Sequence, residues 1–303
     1  MHIYLDQNIW IDLAKIHHGK DNRPESVRLL SLIQKKLESG DIVLPLSRIH
    51  YIETSTIANA GRRERLGRVM FDYSKGVTLA PYKSIVVYEL DCALSKIFSH
   101  VKPRNFKLFG NGIKHAYGDA LEFKYPTMMD PNWIERVALT GEEIVGHRFG
   151  GFHKTEHNGK FQEHLRKVSE MRQTVPRKEW DNTLYAIALA DIVEPLSEVL
   201  NYWKIPFDVF IGLGTDTLTN FIDSMPSRTL EVHMHRQVLN NTNYNPKPTD
   251  LEDWGGVALA SQYCDAIVGE KHLYDMLLRN RFKTKAAVFR RLSDLEQYLE
   301  KAI

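Results

Sequence analysis

The first sixty residues alternate between short apolar runs and segments whose apolar positions recur every three or four residues. Ile3-Tyr4-Leu5 is an apolar run that ends at Asp6, and Asn8 to Ile16 follows with helical spacing. Pro24-Glu25 opens a second helix, since proline is tolerated in a first turn. Val27, Leu30, Ile33 and Leu37 continue that helix until Gly40 stops it. Residues 42–46 read as a buried strand, and Ser47 caps a helix that carries Ile49, Ile52, Glu53 and Ile57 towards Arg62. The end of the chain repeats the alternation. Thr249 or Asp250 caps a helix through Tyr263, residues 266–268 form a buried strand, and Lys271 to Asn280 is a helix. Residues 286–289 are a strand, and Leu292 to Lys301 is a closing amphipathic helix. The pattern predicts an α/β fold whose strands at 3–5, 42–46, 266–268 and 286–289 share one mainly parallel sheet.

The middle differs. From about Pro81 to about Phe221 the runs are helix-like with few convincing strands, and residues 181–190 are the clearest. A large, mostly helical insertion is therefore expected over 76–225, between the two parts, 1–75 and 226–303, of a discontinuous α/β domain. Between Gly146 and Lys178 the chain holds eight Lys or Arg against three Glu, with four His. Lys154, Lys160 and Lys167 in this stretch can follow a phosphate backbone, with Phe149, Phe152 and Phe161 as stacking faces. A space-filling insertion explains the segment equally well. Arg62, Arg65 and Arg68 recur every three residues beyond Glu53 and make a basic helix face, which a solvated surface also explains.

Composition narrows the function classes. The 303 residues carry 40 Lys plus Arg against 38 Asp plus Glu, so a uniformly basic nucleic-acid coat is excluded and any polyanion site must come from local clustering. Cys92 and Cys264 stand far apart, which excludes a disulfide framework and a cysteine-based zinc site. No apolar stretch approaches the roughly 20 residues of a membrane span, and Asp6 comes too early for a secretory signal. A protein of the cytoplasm, with no membrane partner, is expected.

The informative residues are the acids at strand ends. Asp6 follows the first strand, Glu53 lies two turns into the helix after the second, Asp250 and Asp253 open the helix before the late strand, and Asp265 and Glu270 bracket that strand. Open parallel sheets bind ligands beyond the carboxyl ends of their strands. Converging carboxylates repel one another unless a cation lies between them, and hard oxygen donors favour Mg²⁺ or Mn²⁺. Such a site can activate water and stabilise a phosphodiester under in-line attack. Each acid also has a plain structural reading: Asp6 and Asp250 as helix caps, Glu53 as a solvated helix residue, Asp265 as part of a turn.

Residues Leu5 to Asp12 resemble the opening of PIN-domain nucleases, in which a strand ends in Asp and a small polar residue follows two positions on. Pro45 to Glu53 resembles that family's second motif. Asp250 to Trp254 and Tyr263 to Lys271 resemble the third and fourth, although Gly269 stands where Thr is common and Glu270 where Asp is common. The resemblance covers residues 1–75 and 226–303, about half the chain. It implies a PIN-like sheet sandwiched by helices and a Mg²⁺- or Mn²⁺-dependent endoribonuclease. It also implies Asp6, Glu53, Asp253 and Glu270 as metal-holding catalytic acids, with Asn8, Asp250 and Asp265 supporting or alternative, and leaves open whether Asp265 or Glu270 is the last ligand. Two other classes compete: a PIN-like scaffold that binds nucleic acid or protein without chemistry, and a phosphatase of the haloacid dehalogenase type. The latter needs an Asp where Asn8 stands. The substrate, an inhibitory protein partner and a homo-oligomeric state are left open.

Overall fold

The computed structural model describes residues 1–120, 129–141, 143–144, 147–148 and 156–301. The expected site residues Lys154, Phe149 and Phe152 lie outside them. The chain divides into two compact units, one of Met1–Pro81, Phe109–His157 and Glu252–Ile303, the other of Tyr82–Leu108 and Asn158–Leu251. Relative to the expected boundaries, residues 76–81 and 109–157 join the terminal segments, whereas 226–251 join the middle.

Along the chain, β1 (Ile3–Leu5), α1 (Gln7–His17), α2 (Pro24–Glu38), α3 (Arg48–Ser55), α4 (Ala60–Ser74) and β2 (Val77–Leu79) precede α5 (Tyr82–Ser95). Then come β3 (Phe109–Asn111), α6 (Gly112–Tyr117), α7 (Pro131–Thr140), β4 (Glu143–Ile144), β5 (His147–Arg148) and α8 (Glu156–Thr174). Helices α9 (Trp180–Ala190), α10 (Val193–Tyr202), α11 (Phe207–Ile211), α12 (Thr215–Asp223) and α13 (Pro226–Asn240) follow. The chain closes with α14 (Asp250–Asp253), a π-helical turn at Trp254–Ala258, β6 (Ala266–Val268), α15 (Lys271–Leu278), β7 (Ala287–Phe289) and α16 (Leu295–Lys301).

The first unit is α/β. Its parallel sheet has the order β1-β6-β7, with Ile3, Tyr4 and Leu5 opposite Ala266, Ile267 and Val268. Every residue of β1 and β6 is buried, as expected of parallel strands covered on both faces. Residues 42–46 are extended but make only isolated bridges, which corrects the expected strand. Val43 pairs with the free edge of β1 (Ile3 N–H to Val43 O, 2.9 Å), whereas Leu46 has already turned to β2 (Leu46 N–H to Val77 O, 2.9 Å). Pro45 between them has no N–H to continue a ladder. β2 pairs antiparallel with β3, which follows it only after α5, a partner that the helix-like middle pattern concealed.

The helix expected to run from Ser47 towards Arg62 ends at Ser55, and Arg62 lies on a second helix. Asn59 starts the second one by accepting from the Arg62 amide at 2.9 Å, and asparagine is among the best residues at this position. Helix α4 then packs closely on α7. A Cβ on Gly67 would stand 2.6 Å from the Leu139 carbonyl carbon, so only glycine permits the approach.

Among the described residues, the regular elements of the second unit are all helices. Its buried charges are internally paired: Glu89 accepts from the amide and hydroxyl of Ser227, Asp91 holds Arg104 and the Trp203 indole, and Arg228 meets Glu231 and the Tyr82 hydroxyl. Both cysteines are free thiols. Among the described residues, no helix is long and apolar enough to cross a membrane.

Candidate functional site

The parallel register of β1 and β6 decides which acids meet. The Asp6 amide donates to Val268 O at 2.9 Å, so the chain leaves both strands at one carboxyl edge, as Asp6 on one side and Gly269-Glu270 on the other. Asn8 closes the gap by donating its amide to Glu270 Oε1. Asp6 is also the cap of α1, accepting from the Gln7 amide at 2.8 Å. Its pKa is pushed up to about 6, first by burial and then by the negative charge of Glu270, against a lowering by the Gln7 amide. Among the described residues no Lys, Arg or His pairs with Asp6 or Glu270.

Glu53 is brought to the same end by α3. His50 spans two elements: its Nδ1 accepts from the Ser47 amide (2.9 Å), so its protonated Nε2 donates to Leu5 O (2.8 Å). Burial lowers the His50 pKa to about 4, which keeps the ring neutral. The Tyr4 hydroxyl lies 2.7 Å from Ser47 Oγ, and Gln7 donates to Thr54 Oγ1 at 2.9 Å. Thus α3 is fastened to the last residues of β1 and the first of α1. Glu53, half-buried, sits one turn beyond His50. The Tyr4 phenol is raised well above its usual pKa by burial, and the charges of both Asp6 and Glu53 add to that rise. Both carboxylates therefore act on one buried oxygen.

Asp253, half-buried, precedes the π turn, whose Gly256 packs against Tyr4 and Ile49 and whose Val257 packs against Gly269. Its neighbour Glu252, which the sequence pattern did not single out, is the more deeply buried of the two.

The remaining sequence candidates lie elsewhere. Asp265 stands at the amino end of β6, where its carboxylate accepts from the His2 amide (2.8 Å) and faces Lys285 (3.8 Å). Asp250 belongs to the second unit, and its Oδ2 accepts from the Tyr244 hydroxyl and the Lys247 amide, each at 2.8 Å. Arg62, Arg65 and Arg68 are exposed on α4, with Arg68 paired to Glu64 at 2.6 Å. Lys160 and Lys167 are exposed on α8 in the second unit.

No family model, no curated protein and no solved structure matches the chain.

Among the described residues, no three His, Cys, Asp or Glu side chains are arranged to hold a metal ion. What is gathered is a pair, Asp6 and Glu270, with Asn8 holding Glu270 and with the charges of Asp6 and Glu53 both acting on Tyr4. The donor chemistry suits a hard cation. Glu270 adds to the raised proton affinity of the buried Asp6 with no basic side chain to relieve it, and a divalent ion is what such a carboxylate accepts in exchange for the proton. His50, Tyr4 and Gln7 were not foreseen as parts of this site. The only sequence trace of them is polarity inside otherwise apolar runs.

Proposed function

We propose that the chain is a Mg²⁺- or Mn²⁺-dependent phosphodiester hydrolase, an endoribonuclease of PIN-like type. The observation that supports this reading most is the proximity of Asp6 and Glu270 at the carboxyl ends of adjacent parallel strands, with Asp6 raised by burial and by Glu270 and with no cationic partner for either. Strand ends of this kind are where open α/β sheets bind their ligands.

In this reading Asp6 and Glu270 would hold the cation, with Glu53 and Asp253 completing its surroundings directly or through water. The cation supplies positive charge to a phosphodiester under attack and acidifies water. Asn8 fixes one oxygen of Glu270 and leaves the other for the ion. His50 keeps α3 against Leu5 and so fixes the distance from Glu53 to Asp6. The exposed arginines of α4, in the same unit, offer a run of charges for a nucleic-acid backbone.

Incubating the purified full chain with labelled RNA and DNA pools, with Mn²⁺ and with a chelator, tests the proposal. Cleavage of RNA that stops in chelator and is lost in Asp6→Asn supports it. Metal-independent cleavage, or nucleic-acid binding without cleavage under any divalent ion, favours the scaffold reading instead. That reading has its own support in the cap that Asp6 provides to α1.

A further inference from the structure

Residues 279–291 carry six Lys or Arg and no Asp or Glu, in a chain whose net charge is only +2. The run surrounds β7, the outer strand of the parallel sheet. Arg279, Arg281 and Lys283 precede the strand on its connection from α15, and Arg290 and Arg291 follow it. Two of the six are committed to neighbours. Lys285 donates to Tyr263 O at 2.7 Å and faces Asp265 at 3.8 Å, while Arg290 pairs with Asp275 at 2.8 Å and lies over the Tyr274 ring. Arg279, Arg281, Lys283 and Arg291 are exposed and, among the described residues, have no ion pair. Like charges clustered in this way repel one another, and a polyanion laid across them relieves the repulsion.

The backbone adds a second observation at Arg281. Asn280 and Arg281 are both left-handed, with φ of 56° and 57°. Glycine adopts that conformation freely and asparagine tolerates it, but an arginine is strained there. A long cation thus occupies a position where the backbone alone favours glycine.

Register connects the run to the acids. Leu5, Val268 and Phe289 lie side by side, and the Gly269 amide donates to Phe289 O at 3.1 Å. The chain therefore leaves β7 as Arg290-Arg291 at the same carboxyl edge where it leaves β6 as Gly269-Glu270 and β1 as Asp6. Two strand spacings, about 10 Å, separate the backbones of Arg290 and Asp6. Lys283 and the residues before it lead into the other end of β7.

We propose that the β7 edge is the face on which single-stranded RNA lies, with its phosphates on Arg279, Arg281, Lys283 and Arg291 and its path leading to Asp6 and Glu270. The choice of RNA rests on the ribonuclease reading above, whereas the face itself needs no bound cation. Contacts of this kind go to the backbone, so binding is sequence-independent and falls steeply with salt.

The test is fluorescence anisotropy of a labelled oligouridylate with the full chain, in chelator, across a range of salt concentrations, with melting temperature measured in parallel. The variant Arg279→Gln/Arg281→Gln/Lys283→Gln/Arg291→Gln is expected to bind about tenfold or more weakly at low salt. It should lower the slope of log affinity against log salt by about 2.8, four contacts at about 0.7 each. A control that removes the same charge from exposed lysines elsewhere, Lys20→Gln/Lys35→Gln/Lys96→Gln/Lys102→Gln, is expected to keep the wild-type slope. Arg281→Gly separates charge from folding: it should melt no lower than wild type, yet lower the slope by about 0.7. A fourfold variant with the wild-type slope overturns the face, as does a control that loses as much slope, or a wild-type chain that does not bind the oligouridylate. Should the fourfold variant not fold, Arg281→Gly and Arg291→Gln decide, and wild-type slopes in both overturn the face. Adding Mn²⁺ separates this proposal from the ribonuclease reading. Binding through these four residues without cleavage keeps the face and overturns that reading, whereas cleavage with an unchanged KM in the fourfold variant overturns the face alone.

Discussion

The Tyr51 hydroxyl donates to the carboxylate of Glu135, and both side chains are buried in the first unit. The Ile113 amide donates to the other oxygen at 2.7 Å. Burial pushes the Glu135 pKa up from 4.5 to about 7, more than these two donors lower it. Between those values the folded chain keeps a proton that the unfolded chain releases. Stability is therefore greatest below the lower value, falls as pH rises through the higher one, and is level beyond it. At about 1.4 kcal/mol per unit, the loss from this residue is about 3 kcal/mol. Glu135→Gln, which imitates the protonated acid, should match wild type near pH 4.5 and exceed it at pH 8. Urea unfolding at both pH values checks this, and a difference between the two proteins that does not grow with pH rejects it.

Asp6 titrates in the same direction for a related reason, with its pKa raised to about 6 by burial and by Glu270. A cation binds the ionised carboxylate and competes with the proton. Mn²⁺ affinity should therefore fall as pH drops through about 6 and be level above about 7. Asp6→Asn keeps the cap, because asparagine accepts from the Gln7 amide as well as aspartate does. It should melt no lower than wild type at pH 8 while losing Mn²⁺ binding and RNA cleavage. Asp6→Ala should in addition cost about 1 kcal/mol from the lost cap. If Asp6→Asn destabilises the chain as much as Asp6→Ala and leaves Mn²⁺ binding intact, Asp6 is a cap and nothing more.

Much of this was legible in the chain itself. Ile3-Tyr4-Leu5, Ala266-Ile267-Val268 and the apolar residues after Ala286 are short, wholly apolar and bounded by polar residues, which is the signature of strands in a covered parallel sheet. Residues 42–46 carry the same signature, but the missing N–H of Pro45 breaks their ladder. Asn59 was hidden because it stands between Ala58 and Ala60, strong helix formers that read as one continuous helix, and β2 and β3 because three-residue strands leave no period to read. The choice between Asp265 and Glu270 depended on register. Pairing Leu5 with Val268 places Glu270 at the edge of Asp6 and leaves Asp265 beside His2. Tyr4, His50 and Glu135 each sit in apolar patterns, where a polar atom needs a partner supplied by another element. No local pattern names that partner.

Packing gives a prediction independent of any chemistry. Helices α4 and α7 approach so closely that a Cβ on Gly67 would stand 2.6 Å from the Leu139 carbonyl carbon and 2.8 Å from the Thr140 nitrogen. These are backbone atoms and cannot swing aside as a side-chain tip does. Gly67→Ala should destabilise the chain by about 3 kcal/mol, at the upper end of overpacking costs, despite the better helix propensity of alanine. Gly159→Ala, on a helix where the added methyl meets nothing within 4 Å, should instead leave stability unchanged or raise it. Urea unfolding midpoints of the two variants should move in opposite directions from wild type, or Gly67 alone should move. Equal midpoints would mean that the α4–α7 contact yields easily.

The basic residues can be separated by unit. Arg62, Arg65 and Arg68 recur every three residues along α4 and are exposed, while Lys160 and Lys167 are exposed on α8 in the other unit. Each phosphate contact to a single strand contributes a slope of about 0.7 in the logarithm of affinity against the logarithm of salt. If all three arginines face RNA, replacing them with glutamine should reduce that slope by about 2 and weaken binding most at low salt. Mn²⁺ affinity should not change, because Asp6 and Glu270 do not pair with them. Lys160→Gln/Lys167→Gln should lower the slope by about 1.4 if α8 also follows the strand, and by nothing if the helical unit serves another purpose. Filter binding to a uniform single-stranded RNA across a range of salt concentrations, with a catalytically silent Asp6→Asn background, reads both slopes at once. An arginine variant with the wild-type slope would assign that face of α4 to solvent and move the search for the RNA track to the lysines of α8.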